Sequence, residues 1–186
     1  MEINEILDAR KIALEEALKR LMIKTPYDRI TVNQLVEEVG ISRKTFYRTF
    51  PSKDACLDSL IEQYVLNQHR RVTLTLAKPV DLVSSYKTVL LYWKENKAFV
   101  DAIMRDNLMP LLLKVSTAHI MKEEKNLYRI MQTSDIACDE DIILFFNAGN
   151  TVLAINWLQN GCKTPLDEMA HKLVRLNHTQ LLVNNQ

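Results

Sequence analysis

Between Ile41 and Lys53 the chain has four basic side chains, Arg43, Lys44, Arg48 and Lys53, and no acidic one. Ser42, Thr45, Tyr47 and Thr49 set hydroxyls among them. Guanidinium, ammonium and hydroxyl groups are the donors that phosphate oxygens and base edges accept. A cluster of cations alone also describes an ordinary solvated helix face. The elements that hold it decide between the two readings.

Those elements are legible on both sides. Thr31 is a good N-cap, and Gln34 follows at the spacing of a capping box. Val32, Leu35, Val36 and Val39 then share one helical face. Gly40 can take the left-handed conformation that stops a helix, Ser42 can cap the next one, and Pro51 forbids it to continue. Phe46 and Phe50, four apart, can anchor that second helix inward and leave Arg43, Lys44, Tyr47 and Arg48 outside. Ser52 and Lys53 open a further helix. Two short helices joined by a tight turn, the second presenting cations at its N-terminal end, are the form that enters a DNA major groove.

The run from Thr31 to Lys53 resembles the helix-turn-helix of the TetR/AcrR family of bacterial transcriptional regulators. Its pattern is Thr-Val-x-x-(apolar)-x-x-x-x-Gly-(Val/Ile)-Ser-x-x-Thr-(apolar)-Tyr-x-(His)-Phe-x-x-Lys. Thr49 stands where the family usually has His, which bears on one backbone contact and not on the fold. The resemblance implies a homodimer on double-stranded DNA with a palindromic operator, its two recognition helices about 34–36 Å apart. It also implies a small apolar or aromatic effector in a C-terminal domain that releases a repressor from that operator. Within this scheme Arg43 and Lys44 are the candidates for base edges, with Thr45 next. Thr31, Ser42, Tyr47, Thr49 and Lys53 are candidates for phosphates, and Arg48 belongs to the same DNA-binding set. Tyr27, in the preceding linker, can touch a phosphate or simply pack.

Composition limits the alternatives. A chain of 186 residues with 47% hydrophobic and 25% charged residues is globular and long enough to bury a core. A net charge of +1 excludes a wholly basic coat, so any DNA contact is a local patch. Only three Gly and five Pro, with Leu, Ala, Lys and Glu abundant, predict an all-α chain. The three cysteines, Cys56, Cys138 and Cys162, fit neither a zinc spacing nor a disulfide framework and read as buried free thiols. The acidic, amphipathic N-terminus is unlike a signal peptide, and no apolar run reaches the ~18–20 residues of a membrane span. A soluble, cytoplasmic protein is expected, with no membrane association.

Other chemistry finds little support. His119 and Glu123 share a helical face at i, i+4, but no third metal ligand stands near them. Three separated glycines cannot form a phosphate-cradling loop. Glu37-Glu38 and Glu123-Glu124 read as solvated faces. No catalytic residue, metal or cofactor is expected.

Helical periodicity predicts about nine helices, and the resemblance implies two domains: residues 1–52 as the DNA-binding head, and residues 53–186 as a helical regulatory and dimerisation domain. The first helix covers 4–23, with Glu15 on its outer face. The fourth opens at Lys53 and is long enough to bridge two bodies. Further helices are expected over 80–94, 97–105 and 111–131, with an interruption at Asn107–Pro110. A closing pair is expected over 139–160 and 165–184. Aromatic and methionine side chains suit an adaptable ligand cavity as well as a core, and Tyr64, Tyr86, Trp93, Met104 and Met121 are the candidate ligand residues. The helix after Glu140 is apolar almost all round and must be covered on more than one side. Phe145, Gly149, Val152, Leu153, Met169 and Leu173 are the candidate dimer interface. Trp157-Leu158-Gln159-Asn160-Gly161 resembles the end of the penultimate helix in the DhaS-like branch of the family. That branch implies an alternative, control by a protein partner and possible activation in place of a small molecule.

Overall fold

The computed structural model describes residues 3–75, 81–131 and 140–181. Cys138, the Lys78-Pro79 break and the last helix beyond Leu181 lie outside the described residues. So do the side chains of Ile6, Glu123, Glu124, Tyr128, Met131, Ile142, His178 and Leu181. Among the described residues there are nine α-helices, one 3-10 turn and no strand. The helices are α1 (Ile3–Lys24), α2 (Val32–Val39), α3 (Arg43–Thr49), α4 (Lys53–Thr75), α5 (Leu82–Glu95), α6 (Lys97–Arg105), α7 (Met109–Met131), α8 (Glu140–Gln159) and α9 (Leu166–Leu181). The 3-10 turn, Tyr27–Arg29, links α1 to α2.

Most boundaries follow from local chemistry. Thr31 and Gln34 close both halves of the capping box on α2. Gly40 ends α2 at φ 73°, and the Ser52 hydroxyl accepts the Ala55 N–H at the start of α4. Gly161 at φ 72° and Cys162 at φ 55° turn the chain between α8 and α9. One boundary differs from the expected one. The break after α6 sits at Asn107, φ 56°, while Met109 and Pro110 already belong to α7. A proline in the first turn of a helix lacks only an N–H that would have had no intrahelical partner.

Packing divides the chain into two compact units. The first gathers α1 to α3, α4 as far as Tyr64, and Ala98–Leu112. Its core holds Leu14, Leu18 and Met22 of α1, Leu35 of α2, Phe46 of α3, Ile61 of α4 and Phe99 and Ile103 of α6, all fully buried. Burying each of these is worth about 1.5–3 kcal/mol relative to exposure. Tyr64 and Met104 lie in this unit, and the Tyr64 ring packs edge-on against Phe99 at 5.4 Å. Glu15 corrects the expectation for α1. It is 3% exposed and accepts a hydrogen bond from the Ser59 hydroxyl at 2.5 Å. Arg105 at the end of α6 donates to the carbonyls of Met22 and Thr25 at 2.6 and 3.1 Å, satisfying acceptors that α1 leaves open at its C-terminus.

The second unit gathers Val65–Lys97 and the chain from Leu113 onward. Here α5 packs on α8 and α9, and Lys87 of α5 pairs with Asp167 of α9. The indole N–H of Trp157 donates to the Thr164 carbonyl at 2.8 Å and ties the turn between α8 and α9. Met169 and Leu173 are 4% and 1% exposed, buried in their own bundle. That corrects their assignment to an outer interface, because period alone shows that a helix has an apolar face and not which neighbour covers it. Phe145 and Val152, by contrast, are 61% and 57% exposed, with Gly149 exposed between them and Leu153 half-buried.

Candidate nucleic-acid interface and bundle cavity

The basic residues are held by the short helix α3. Its cap is complete: the Ser42 hydroxyl accepts the Thr45 N–H at 3.1 Å. Phe46 is fully buried and its ring lies 6.3 Å from that of Phe50, so the helix is pinned by one face. Arg43, Lys44, Tyr47 and Arg48 are exposed on the other. Arg43 donates to the Asn33 side chain of α2 at 3.3 Å, and its guanidinium stands 5.9 Å from the Tyr47 ring. Lys44 and Arg48 enter no ion pair among the described residues and are available to an incoming anion.

The hydroxyls are more committed. Thr49 donates to the Thr45 carbonyl at 3.0 Å, and Thr31 donates to Gln34 Oε1 at 3.1 Å. Each must turn its hydroxyl before a phosphate can accept from it. Lys53 is half-buried, and its ammonium donates to the carbonyls of Tyr27 and Ile30 at 2.7 and 2.8 Å. One of its three N–H groups is left for another acceptor. Tyr27 donates from its own hydroxyl to Asp54 at 2.5 Å, and burial with that carboxylate pushes the phenol up. Its backbone N–H donates to Asp106 at 3.1 Å.

The second unit holds a cavity of about 360 Å³. Gln68 and His69 of α4, Tyr86 and Trp93 of α5, His119 of α7, Phe146, Asn147 and Asn150 of α8 and Leu173 of α9 contribute to its wall. Polar groups there are tied to one another. The Trp93 N–H donates to Gln68 at 2.6 Å, and the Asn147 amide donates to Ser116 and Thr117 at 2.7 and 2.9 Å. Asn150 donates to the Tyr86 hydroxyl at 3.3 Å and exchanges bonds with Asn177. The His69 and His119 rings meet edge to face at 4.7 Å. Of the candidate ligand residues, Tyr86 and Trp93 line this cavity. Tyr64, Met104 and Met121 do not, the first two lying in the other unit.

Residues 14–60 match the bacterial regulatory proteins of the tetR family, and residues 82–179, more than half of the chain, match a transcriptional regulator C-terminal region. The chain belongs to the TetR family. Over 75 residues, 40% of this chain and 34% of the relative, it is 40% identical to the HTH-type transcriptional regulator EthR of Mycobacterium tuberculosis. It thus spans about a third of the length of these EthR relatives. A candidate TetR-family regulator from Shewanella sp. PV-4 superposes with a TM-score of 0.70 at 12% identity, over 90% of this chain and 95% of that one. The fatty acid degradation regulator FadR of Bacillus halodurans does so with a TM-score of 0.64 at 15% identity, over 90% and 94%. At these identities the likeness shows the TetR fold alone.

TetR-family proteins are DNA-binding transcriptional regulators, and this chain has their helix-turn-helix at α2 and α3. No described helix is long and apolar enough to cross a membrane. Among the described residues no three His, Cys, Asp or Glu gather to hold a metal. Cys56 is a buried free thiol pushed up to about 12 by burial and by nearby Glu15, and Cys162 is free and half-buried. Among the cavity residues that sequence reasoning missed are the polar Gln68, His69, His119, Asn147 and Asn150. A polar residue inside an amphipathic helix gives no signal of which neighbour it will face.

Proposed function

We propose that this protein is a homodimeric transcriptional repressor that grips a palindromic operator through α3 and lets go when a small ligand enters the bundle cavity. The observation behind it is the course of α4. Its first residue, Lys53, is bonded to the Tyr27 and Ile30 carbonyls beside the helix-turn-helix, and its later turns supply Val65, Gln68, His69 and Val72 to the cavity wall. A ligand that fits the cavity better in one setting of α4 than in another shifts the protein toward that setting by its differential affinity and no further.

In this reading residues 1–52 act as the DNA-binding head and residues 53–186 as the regulatory and dimerisation domain, with the protein at work on the nucleoid in the cytoplasm. Arg43 and Lys44 reach base edges, with Thr45 beside them. Ser42, Tyr47 and Arg48 hold phosphates, Thr31 and Thr49 join by turning their hydroxyls, and Lys53 offers its remaining N–H. Tyr86 and Trp93 touch the ligand. Phe145, Gly149, Val152 and Leu153 on α8 form the dimer face, which the exposure of the first three supports. Selection of bound duplexes from a random-sequence pool, followed by binding titrations with a small-molecule library, tests the reading. An inverted repeat bound less tightly in the presence of a cavity ligand is expected. Failure of every small molecule to change operator affinity, with recovery of a protein that does change it, would replace ligand control by partner control.

A further inference from the structure

We propose that the bundle cavity takes a small monoanionic weak acid, an apolar or aromatic body with a single carboxylate, and that His69 and His119 hold the carboxylate. The inference rests on the reading of this cavity as the effector site and names the class of effector. At about 360 Å³ the cavity is near the lower end of the roughly 300–1,000 Å³ of ligand sites, so the occupant is small. Val72, Val89, Trp93, Ile120 and Phe146 receive an apolar body.

Charge narrows the class. No Asp, Glu, Lys or Arg is among the described lining residues. A cation entering this wall would meet no opposite charge among the described lining residues, and burying an uncompensated ion is costly. Among the described lining residues the wall can gain positive charge only at His69, from α4, and His119, from α7. Imidazole is the side chain that changes charge between about pH 5 and 8, and an anion within ~4–6 Å favours its charged form. A carboxylate arriving beside the pair therefore draws a proton onto it and receives a charge-assisted hydrogen bond. A second proton would set two like charges on rings 4.7 Å apart, so the pair matches one negative charge and not two.

The other groups facing the pair leave this charge balance alone. Tyr86 of α5 is the remaining titratable side chain among the described lining residues, and burial pushes its phenol up, so it stays neutral. α8 contributes Asn147, Asn150 and Thr151, and α9 contributes Leu173. The described charges on the same helices lie off the lining. Arg71 pairs with Glu95 and Lys87 with Asp167, while Arg70, Lys94, Lys114, Lys122, Asp141 and the α9 charges Glu168, His171, Lys172 and Arg175 are exposed.

Isothermal titration calorimetry on the full-length protein tests this, with benzoate, phenylacetate and octanoate each set against its own amide. Phenyl phosphate serves as the dianion and benzyltrimethylammonium as the cation, at about pH 6 and about pH 8. At least one carboxylate is expected to bind about tenfold or more tightly at the lower pH, with buffer-dependent heat showing proton uptake, while its amide shows no pH dependence. His69→Gln and His119→Gln should each remove most of that pH dependence while leaving helical circular dichroism unchanged. Carboxylates that bind no tighter than their amides overturn the proposal, absence of binding included. So does a preference for the cation or the dianion, or a pH dependence that survives both substitutions. Operator release is scored separately. A carboxylate that binds as expected but leaves DNA affinity unchanged overturns the effector reading and not the site. Release by neutral molecules, with no carboxylate binding as expected, overturns the site and not the effector reading.

Discussion

Lys53 and Tyr27 are joined twice: the ammonium donates to the Tyr27 carbonyl at 2.7 Å and stands 4.0 Å from the centre of its ring. The same ammonium donates to the Ile30 carbonyl, and the Tyr27 hydroxyl donates to Asp54 next door. The link from α1 to α2 is thereby pinned to the start of α4. A lysine that a DNA contact alone would leave exposed instead spends most of its donors on the fold.

Lys53→Ala should therefore lower stability as well as DNA affinity. Two partly buried charge-assisted bonds are lost, at a cost of about 1–3 kcal/mol. Lys44→Ala, on an exposed side chain, should stay within about 0.5 kcal/mol of the wild type. Urea denaturation of the two variants side by side measures the difference. Equal stabilities would remove the brace and leave Lys53 as a surface cation.

The outer face of α8 gives a test of dimerisation free of core damage. A Cβ on Gly149 meets nothing within 4 Å in its own chain, and helical alanine is favoured over glycine by roughly 0.5–1 kcal/mol. Gly149→Ala should thus stabilise a lone chain, so any weakening of the dimer must come from the partner copy. Phe145→Glu and Val152→Glu should shift sedimentation toward the monomer. Leu173→Ala should act differently, costing about 2–5 kcal/mol inside the bundle. A Phe145→Glu protein that remains fully dimeric would move the interface elsewhere.

Glu15 makes stability depend on pH. Burial raises its pKa above the usual 4.5, and the Ser59 hydrogen bond opposes the rise in part. A carboxyl that holds its proton more firmly in the fold than in the unfolded chain favours folding as pH falls from the raised value toward about 4.5. Above the raised value its ionised form opposes folding. The stability difference between Glu15→Gln and wild type should accordingly move in favour of glutamine as pH rises through that window. Denaturation curves across pH read it directly. A difference that stays flat would show that Glu15 is no more protonated in the fold than out of it.

The local parts of this molecule were legible because each depends on residues a few positions apart. Thr31 with Gln34, Gly40, Ser42, Ser52 and Gly161 all act as their types predict. The helices and the basic α3 followed from such signals. Long-range partners did not. Nothing near Glu15 announces Ser59, 44 residues on, and nothing near Arg105 announces the end of α1, more than 80 residues back. Met169 and Leu173 carry the same apolar signal as Phe145 and Val152, and only packing separates the inner pair from the outer one. The cavity was least legible of all, because its wall is assembled from five helices, four of which supply its polar groups.

The central claim is that Arg43 and Lys44 read base edges while the rest of the helix-turn-helix holds the backbone. Binding titrations on the selected operator and on random duplex, at matched salt, test it most directly for wild type, Lys44→Ala and the Arg43→Ala/Lys44→Ala pair. Wild type should prefer its operator by about 10³-fold or more. Each substitution should cost about 1–3 kcal/mol on the operator and far less on random DNA. Loss of equal size on both DNAs, or a wild type without preference at any salt, would contradict it.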